Sequence, residues 1–427
     1  MTSKKAILLS ISISGCIVAF GLLAQQTATE APAGFDTPTL QVQNAGSQSF
    51  SNGIAEPPGD TYALDQQIFE RREDPALGLG PVFNATSCAE CHQNPVTGGP
   101  SQITEVRVGH KDANGTFANP SILINDGAST ISGRSLVNDR ATCPQAQEHV
   151  PDSENIRALR AVLNTLGDGF VEAVDDQTLL NIASNQANAS GGVIQGEAIQ
   201  VPVLEAPGQT RIGRFGWKDQ HSSLLSFIGD AYLNEMGVTN RLKLADSTSV
   251  CKVKSDPEDT PDAIGMDAID HFAAFIRGTK VPPRDLTLAA TPDAQAGQKL
   301  FESVGCNICH VESMTTLPAG TVVNGGMFTV PDALGNKIIH PFGDFLLHDV
   351  GTGDGIFQAG PQDTVNKLRT APLWGVRMKA RLMHDLASPT LEDAIQRHAG
   401  EARHVTRRFG KLTATEKQQL ITFLNSL

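Results

Sequence analysis

Two short stretches of the chain share one form, Cys-x-x-Cys-His, at residues 88–92 and again at residues 306–310. Two cysteines at this spacing can form thioethers with the two vinyl groups of one porphyrin, and the histidine that follows can bind the iron from one side. The pattern therefore predicts two covalently attached c-type haems. The predicted haem-binding residues are Cys88, Cys91, His92, Cys306, Cys309 and His310.

A zinc site and a thiol redox centre are the alternatives for these motifs. A zinc ribbon pairs its Cys-x-x-Cys units within a short span, whereas the two units here lie more than two hundred residues apart. A thioredoxin-like centre needs a βαβ context, and neither motif is flanked by such a pattern. The sequence therefore favours two haems.

Three cysteines lie outside the motifs, out of 7 in the chain. Cys16 falls in the N-terminal segment. Cys143 and Cys251 remain, and in an oxidising compartment they would pair as a disulfide. Two separate buried thiols are the alternative, and the sequence does not choose between them.

Length and charge narrow the class of protein. The 427 residues are enough for two or three domains. A net charge of −13 and a pI of about 5.3 argue against nucleic-acid binding and against docking on an anionic membrane surface. An acidic surface suits a basic electron-donor protein, and we expect a small cytochrome or cupredoxin in that role.

The N-terminal segment predicts export. Lys4 and Lys5 precede an uncharged apolar run over residues 6–24, which is the pattern of a secretory signal. Covalent haem attachment takes place outside the bacterial cytoplasm, so both features predict the periplasm. The same run is long enough to span a bilayer as an uncleaved anchor, and the residues before Cys16 resemble a lipoprotein cleavage box. A membrane tether at the N-terminus is thus the alternative.

Apolar periodicity and capping signals predict mostly helices around the motifs. The predicted helices cover residues 62–73, 157–166, 222–236, 266–278, 292–304 and 415–427. Residues from about 101 to 131 are predicted as short strands or loops, and the Asn- and Gly-rich residues 185–196 as loop. Each motif then has a helix before it and a closing helix after it. The predicted fold is mainly α with long loops and contains two cytochrome c-like haem domains.

The predicted domain boundaries follow from the same pattern. Residues 1–31 form the signal peptide or anchor with the start of a linker, and residues 32–60 form the linker. Residues 61–284 form the N-terminal domain, which carries a long insert. Residues 285–427 form the C-terminal domain, because Val281-Pro282-Pro283 ends the preceding helix.

A second axial ligand decides what each iron can do, since an iron with an open position can bind peroxide or oxygen. His398 follows Leu391, Ala394 and Ile395 at helical spacing, so it lies on an apolar face and must be bonded or ligated. A hydrogen-bonded core histidine is the alternative. The competing ligand candidates are His348, Met378, Met383 and His384.

Glu235 also falls on an apolar helix face. Beside a haem, its carboxyl group could move a proton between the oxygens of bound peroxide. A glutamate at a helix end that faces solvent or an arginine is the alternative.

These motifs together resemble the bacterial di-haem cytochrome c peroxidase superfamily, in its di-haem oxidoreductase branch. The resemblance covers residues from about 60 to 427. Besides both haem motifs, it rests on GRFGWK at 213–218, NEMG at 234–237, LHDVG at 347–351, TAPLWG at 370–375, LMHD at 382–385 and TLEDAI at 390–395.

The resemblance implies roles for individual residues. It implies that Glu235 cleaves the O–O bond at the N-terminal haem and that Trp217 relays electrons between the haems. It places His398 as the second ligand of the C-terminal iron, where the peroxidases have methionine and the enzyme that matures methylamine dehydrogenase has tyrosine. The family's glycine after His-Asp is replaced by Leu386. The resemblance also implies a calcium ion between the domains, and the oxygen-rich residues 349–355 are its candidate loop.

The sequence thus predicts a periplasmic di-haem c-type oxidoreductase that reduces hydrogen peroxide at the N-terminal haem. Electrons would come from a donor protein through the C-terminal haem. Two alternatives stay open, namely peroxide-driven oxidation of a partner protein or small molecule, and an electron-transfer cytochrome without catalysis. No nucleic-acid partner is expected, and membrane contact only through the N-terminal tether.

Overall fold

The structure is a computed structural model that describes residues 27–34 and 50–427. Most of the predicted signal or anchor, with Cys16, and about half of the predicted linker lie outside the described residues. Among the residues that are described, none of the helices has the length and apolar character needed to cross a membrane.

Helices account for only 31% of the structure and strands for 16%. The prediction of a mainly α protein built from two cytochrome c-like haem domains is therefore wrong. The helices are α1 Tyr62–Glu70, α2 Cys88–Cys91, α3 Asp168–Glu172, α4 Asp176–Ser190, α5 Leu224–Met236, α6 Ala268–Gly278, α7 Leu286–Ala289, α8 Pro292–Val304, α9 Leu391–Arg397, α10 Arg403–Gly410 and α11 Ala414–Leu424.

The strands are short and form many small sheets. They are β1 Thr29–Glu30, β2 Val82–Phe83, β3 Thr104–Lys111, β4 Phe117–Ala118, β5 Ser121–Ile124, β6 Thr130–Ser132, β7 Leu136–Val137, β8 Arg140–Ala141, β9 Glu148–His149, β10 Ile156–Ala161, β11 Gln200–Pro202, β12 Thr210–Ile212, β13 Met314–Thr315, β14 Val322–Val323, β15 Phe328–Thr329, β16 Lys337–Ile339, β17 Leu347–His348 and β18 Leu368–Arg369.

Most of the strand content lies in the insert that follows the first motif. β3 pairs antiparallel with β10, β4 and β7, while β5 lies between β6 and β9. β2, just before the first motif, pairs with β8, and β17 pairs with β18 near the second motif. The sheets thus attach the insert to the chain around the first motif.

Residues 157–166 were predicted as a helix, but residues 156–161 form strand β10. Ile156 lies opposite Gly109 and Ala161 opposite Thr104 in the antiparallel register with β3. Pairing with a distant strand overrides local helical spacing here. The loop predicted at 185–196 is also partly wrong, because α4 continues to Ser190 before Gly191 ends it with a φ of 65°.

Two helix pairs confirm the repeated arrangement of a leading and a closing helix. α1 packs on α6 beside the first motif, and α8 packs on α11 beside the second. A Cβ atom at Gly297 of α8 would lie 2.0 Å from the backbone oxygen of Gln419, so only glycine allows this close helix contact.

The hydrophobic core does not divide at the predicted boundary near residue 284. The largest cluster contains Phe69, Phe215 and Phe272 from the N-terminal side, and also Phe345 and Trp374 from the C-terminal side. A second cluster lies almost wholly within α8, α11 and their neighbours. The boundary at 284/285 therefore stays a prediction.

Cys143 and Cys251 form a disulfide, with their Cα atoms 6.3 Å apart. Of the two alternatives left open by the sequence, the structure contains the pair. The bond joins the insert to the segment between α5 and α6, 108 residues later.

Candidate functional site

The first motif forms a single short helix, α2. Ser87 caps this helix, because its hydroxyl accepts a hydrogen bond from the Glu90 N–H at 3.2 Å. Phe69 of α1 lies edge-on to the His92 ring, with centroids 6.3 Å apart. Burial lowers the pKa of His92 to about 4, so the imidazole is neutral at pH 7. Its buried Nδ1 has no hydrogen-bond partner among the described residues.

Glu235 lies beside this motif, at the last turn of α5. Its backbone carbonyl accepts hydrogen bonds from the N–H groups of Asn84 at 2.7 Å and Ala85 at 3.2 Å. The Asn84 side chain donates to Glu235 Oε2 at 2.8 Å. Burial, followed by the nearby charge of Glu235, raises the pKa of the Cys91 thiol to about 12. The carboxyl group is therefore held close to the first haem motif rather than in solvent.

Glu105 on β3 is hydrogen-bonded to Glu235 and forms a carboxyl pair with it. Burial and the Glu105 charge raise the pKa of Glu235 to about 8. Burial also acts on Glu105, but the Arg107 guanidinium, whose Nε lies 2.6 Å from its carboxylate, lowers the pKa of Glu105 overall. At neutral pH the pair therefore holds one proton, on Glu235, and one negative charge, on Glu105.

The sequence analysis missed Glu105 and Arg107. Both side chains lie on one face of β3, since residues two apart in a strand point the same way. Nothing in the local sequence indicates that this face meets the end of α5, 130 residues later. An acidic residue two before an arginine was the only signal, and it is common at protein surfaces.

His310 of the second motif has the orientation that iron binding needs. Its Nδ1–H donates a hydrogen bond to the Phe342 carbonyl at 2.9 Å. Burial, and then the nearby His398, lower the pKa of His310 to about 4. The ring is thus neutral, and its Nε2 carries a lone pair that a metal can accept.

His398 lies at the end of α9, and its ring is also oriented to bind a metal through Nε2. Its Nδ1–H donates to the Ala394 carbonyl at 2.7 Å, and burial lowers its pKa. A cavity of about 450 Å³ lies between these two histidines and is lined by Cys306 and Cys309 as well. The role of His398 as an iron ligand stays a prediction.

His348 is a poor candidate ligand by comparison. Its two ring nitrogens contact Asp344 and Glu401, each at 2.9 Å. Burial lowers the pKa of His348, but the two carboxylates raise it well above its usual value. A charged imidazole has no lone pair for iron. The other competitors from the sequence, Met378, Met383 and His384, line the same cavity as His398.

Trp217 lies in the wall of this cavity. Its indole N–H donates to the Ala161 carbonyl at 2.8 Å, and its ring packs edge-on to His384 with centroids 6.0 Å apart. Leu163 lines the same cavity, and its backbone lies beside the His92 ring. Trp217 therefore lines the cavity at the second motif, and its role as an electron relay stays a prediction.

The loop at 349–355 gives calcium no free carboxylate at Asp354. Asp354 forms buried ion pairs with Arg160 at 2.6 Å and with Lys218 at 3.2 Å. Burial acts against ionisation, but these two cations lower the pKa of Asp354 to about 2. Calcium therefore stays a prediction without support from this loop.

The residues at both motifs fit a haem. Each motif presents two thiols and a neutral imidazole, and at the second motif the largely apolar cavity is also lined by a further histidine, His398. A zinc site would gather its ligand atoms around one point, but among the described residues neither motif has its two thiols and its histidine all within 4.8 Å of one another.

A family model described as "Di-haem oxidoreductase, putative peroxidase" matches residues 145–427, about two thirds of the chain. The chain belongs to the di-haem oxidoreductase family. Haem is therefore the cofactor class of this protein, and the resemblance inferred from the sequence is confirmed. The match begins after the first motif and includes Trp217, Glu235 and the whole second motif.

Solved structures add only distant similarities to the di-haem oxidoreductase assignment. A chain of hydrazine synthase from Kuenenia stuttgartiensis is 16% identical, with 99% of this chain and 100% of that chain covered and a TM-score of 0.41. A MauG-like protein associated with microbial copper homeostasis is 24% identical over 38% of this chain and 56% of its own, with a TM-score of 0.23. Both TM-scores are below 0.5, so neither similarity establishes a shared fold. No curated protein matches the chain.

Leu386 shows how this member of the family departs from the expected glycine after His-Asp. Its φ is 55°, in the left-handed region that glycine adopts without strain. Leucine thus occupies a backbone conformation in which glycine would be unstrained. The Leu386 side chain contributes to the wall of the cavity instead.

Proposed function

We propose that this di-haem oxidoreductase is an exported peroxidase that reduces hydrogen peroxide beside its first motif. The observation that carries the proposal is the Glu235–Glu105 pair, which holds one proton next to Cys91. The haems would be attached as thioethers to the two cysteines of each motif. The disulfide between Cys143 and Cys251 agrees with an oxidising compartment such as the periplasm.

The overall reaction consumes two electrons and two protons for each peroxide and releases two water molecules. Haem supplies the electron transfer to the O–O bond. The chain supplies proton movement, since Glu235 can deliver its proton to the oxygen that leaves as water. Glu105 and Arg107 then control how readily Glu235 regains a proton. This is general acid–base catalysis by a carboxyl group whose pKa lies near the working pH.

The second motif would receive electrons from a donor protein and pass them to the first. His310 and His398 would hold this haem from both sides, and Trp217 would lie on the route between the haems. A histidine pair leaves no open position for peroxide at the second iron. Peroxide chemistry is therefore assigned to the first motif, where Glu235 lies.

Peroxide turnover by the purified holo-protein tests this function directly. Consumption of hydrogen peroxide would be followed spectrophotometrically with a reduced small cytochrome as the electron source. Oxidation of two cytochrome molecules for each peroxide consumed would support the proposal. Reversible oxidation and reduction of both haems without any peroxide turnover would instead favour an electron-transfer cytochrome.

A further inference from the structure

A second group of ionisable side chains includes no residue of either haem motif. Asp60 and Asp65, at the start of α1, meet His271 of α6, and all three are buried. One ligand atom from each residue lies within 4.8 Å of the others. The carboxyl group of Glu56 is also close, since its charge acts on Asp65.

Within the described part of the chain, one imidazole faces the several carboxyl groups of this cluster, so at most one positive charge from the protein is set against them. Among the described residues, the ion pairs of Asp60 and Asp65 involve only His271. The Asp60 side chain is fully buried, and its Oδ2 has no hydrogen-bond partner there. The buried Oε2 of Glu56 likewise lacks a partner among the described residues. The other oxygen of Asp60 accepts a hydrogen bond from the Thr61 N–H at 2.8 Å. A buried carboxylate oxygen without a partner is costly, so Asp60 Oδ2 and Glu56 Oε2 are the atoms open to a cation.

His271 would bind a metal ion by releasing a proton, since burial lowers its pKa but the neighbouring carboxylates raise it overall. Its Nε2 lies 3.2 Å from Asp262, which is partly exposed, and its Nδ1 faces Asp65 at 2.6 Å and Asp60 at 3.6 Å. A histidine that donates one N–H to a carboxylate commonly binds a metal through its other nitrogen. Two ligand atoms on one metal lie about 3 Å apart when each is about 2.1 Å from it. The distances from His271 Nδ1 to Asp65, 2.6 Å, and to Asp60, 3.6 Å, lie on either side of that value.

We propose that Glu56, Asp60, Asp65 and His271 bind one divalent metal ion, either Zn²⁺ or Mn²⁺. Imidazole is a normal ligand for zinc, and carboxylates suit both ions, whereas calcium takes oxygen ligands. The ion would join α1 to α6. Phe69 of α1 contacts both His92 and Phe272 of α6, so the metal would stabilise the helix pair that supports the first motif.

A second acidic group serves as a matched control. Asp246, Asp256 and Glu258 lie equally close together, but Lys252 pairs with Asp246 at 2.8 Å and with Asp256 at 2.5 Å. A protein cation thus already balances that group. The Asp246→Asn variant should bind as much metal as the wild type.

Metal analysis of the holo-protein tests the proposal. After chelator treatment, dialysis against Zn²⁺ or Mn²⁺ and removal of free metal, we expect one equivalent per chain in addition to haem iron. The Asp60→Asn and Asp65→Asn variants should each bind the ion at least about tenfold more weakly. The thermal midpoint of the wild type should rise with the added metal, and those of the two variants should not.

Two results would overturn the proposal. One is a wild type that retains neither Zn²⁺ nor Mn²⁺ in stoichiometric amount, including a protein that retains calcium alone. The other is equal metal binding by the wild type and both variants.

Discussion

Replacing Glu235 by glutamine removes the acid while leaving its surroundings almost unchanged. A glutamine oxygen can still accept the hydrogen bond from Asn84, now 2.8 Å from Oε2. A glutamine N–H can still donate to Glu105, as the protonated carboxyl group does. The variant should therefore fold normally and bind both haems, so that its rate reports on proton transfer alone.

The expected loss can be estimated from the role of the residue. General acid–base groups contribute roughly 10²- to 10⁴-fold to a rate, or about 3–5 kcal/mol of activation free energy. We expect Glu235→Gln to lower kcat for peroxide by that factor and to leave KM nearly unchanged. The wild-type rate should fall as the pH rises through about 8, where Glu235 loses its proton, and the variant should lack this dependence.

Steady-state peroxide consumption across pH 5 to about 9 is the assay, with haem content measured in each sample. Glu154→Gln is the matched control. Glu154 is also a buried carboxylate, and it lies 2.7 Å from His110, which is on β3 like Glu105. This variant should keep the wild-type rate. Full activity in Glu235→Gln, or an equal loss in the control, would refute the role given to Glu235.

Three further predictions follow from the structure. Glu105→Gln removes the charge that acts on Glu235 and so lowers the pKa of Glu235, and the alkaline fall in peroxide turnover should move to lower pH; an unchanged pH–rate profile would separate Glu105 from catalysis. His398→Met should raise the reduction potential of the C-terminal haem, measured by spectroelectrochemical titration, because a thioether ligand favours ferrous iron; an unchanged potential would mean that another residue is the ligand. Gly297→Ala should destabilise the protein by about 1–3 kcal/mol in denaturant unfolding, because the new Cβ would lie 2.0 Å from a backbone oxygen of α11. As the control, Gly410→Ala in α10 should be tolerated, because a Cβ there meets nothing within 4 Å.

The helices next to the motifs could be predicted from the sequence because their signals are local. α8 has the predicted bounds, with Thr291 as its cap, and α11 begins with the capping box of Thr413 and Glu416. α5 ends where Gly237 adopts a φ of 72°. Caps, glycine stops and apolar spacing are all contained within a few residues, so tertiary contacts are not needed to find them.

The insert could be predicted only in part, because the sequence favours short strands or loops over residues 101–131 but shows neither their pairing nor strand β10. β10 has helical spacing in sequence but becomes a strand because β3, about 50 residues earlier, offers it a full set of hydrogen bonds. The contact of Glu105 with Glu235 depends on the same long-range pairing. The fold class was wrong for this reason, whereas the two motifs and the apolar face that ends at His398 could be found from local spacing.

Low-temperature EPR of the oxidised and half-reduced holo-protein tests most directly whether the first haem is a site for peroxide. An iron with an open or weakly held sixth position gives a high-spin ferric signal, and we predict that signal in at least one of the two states. Only low-spin signals in both states would mean that each iron has two strong ligands. Peroxide reduction beside Glu235 would then be contradicted.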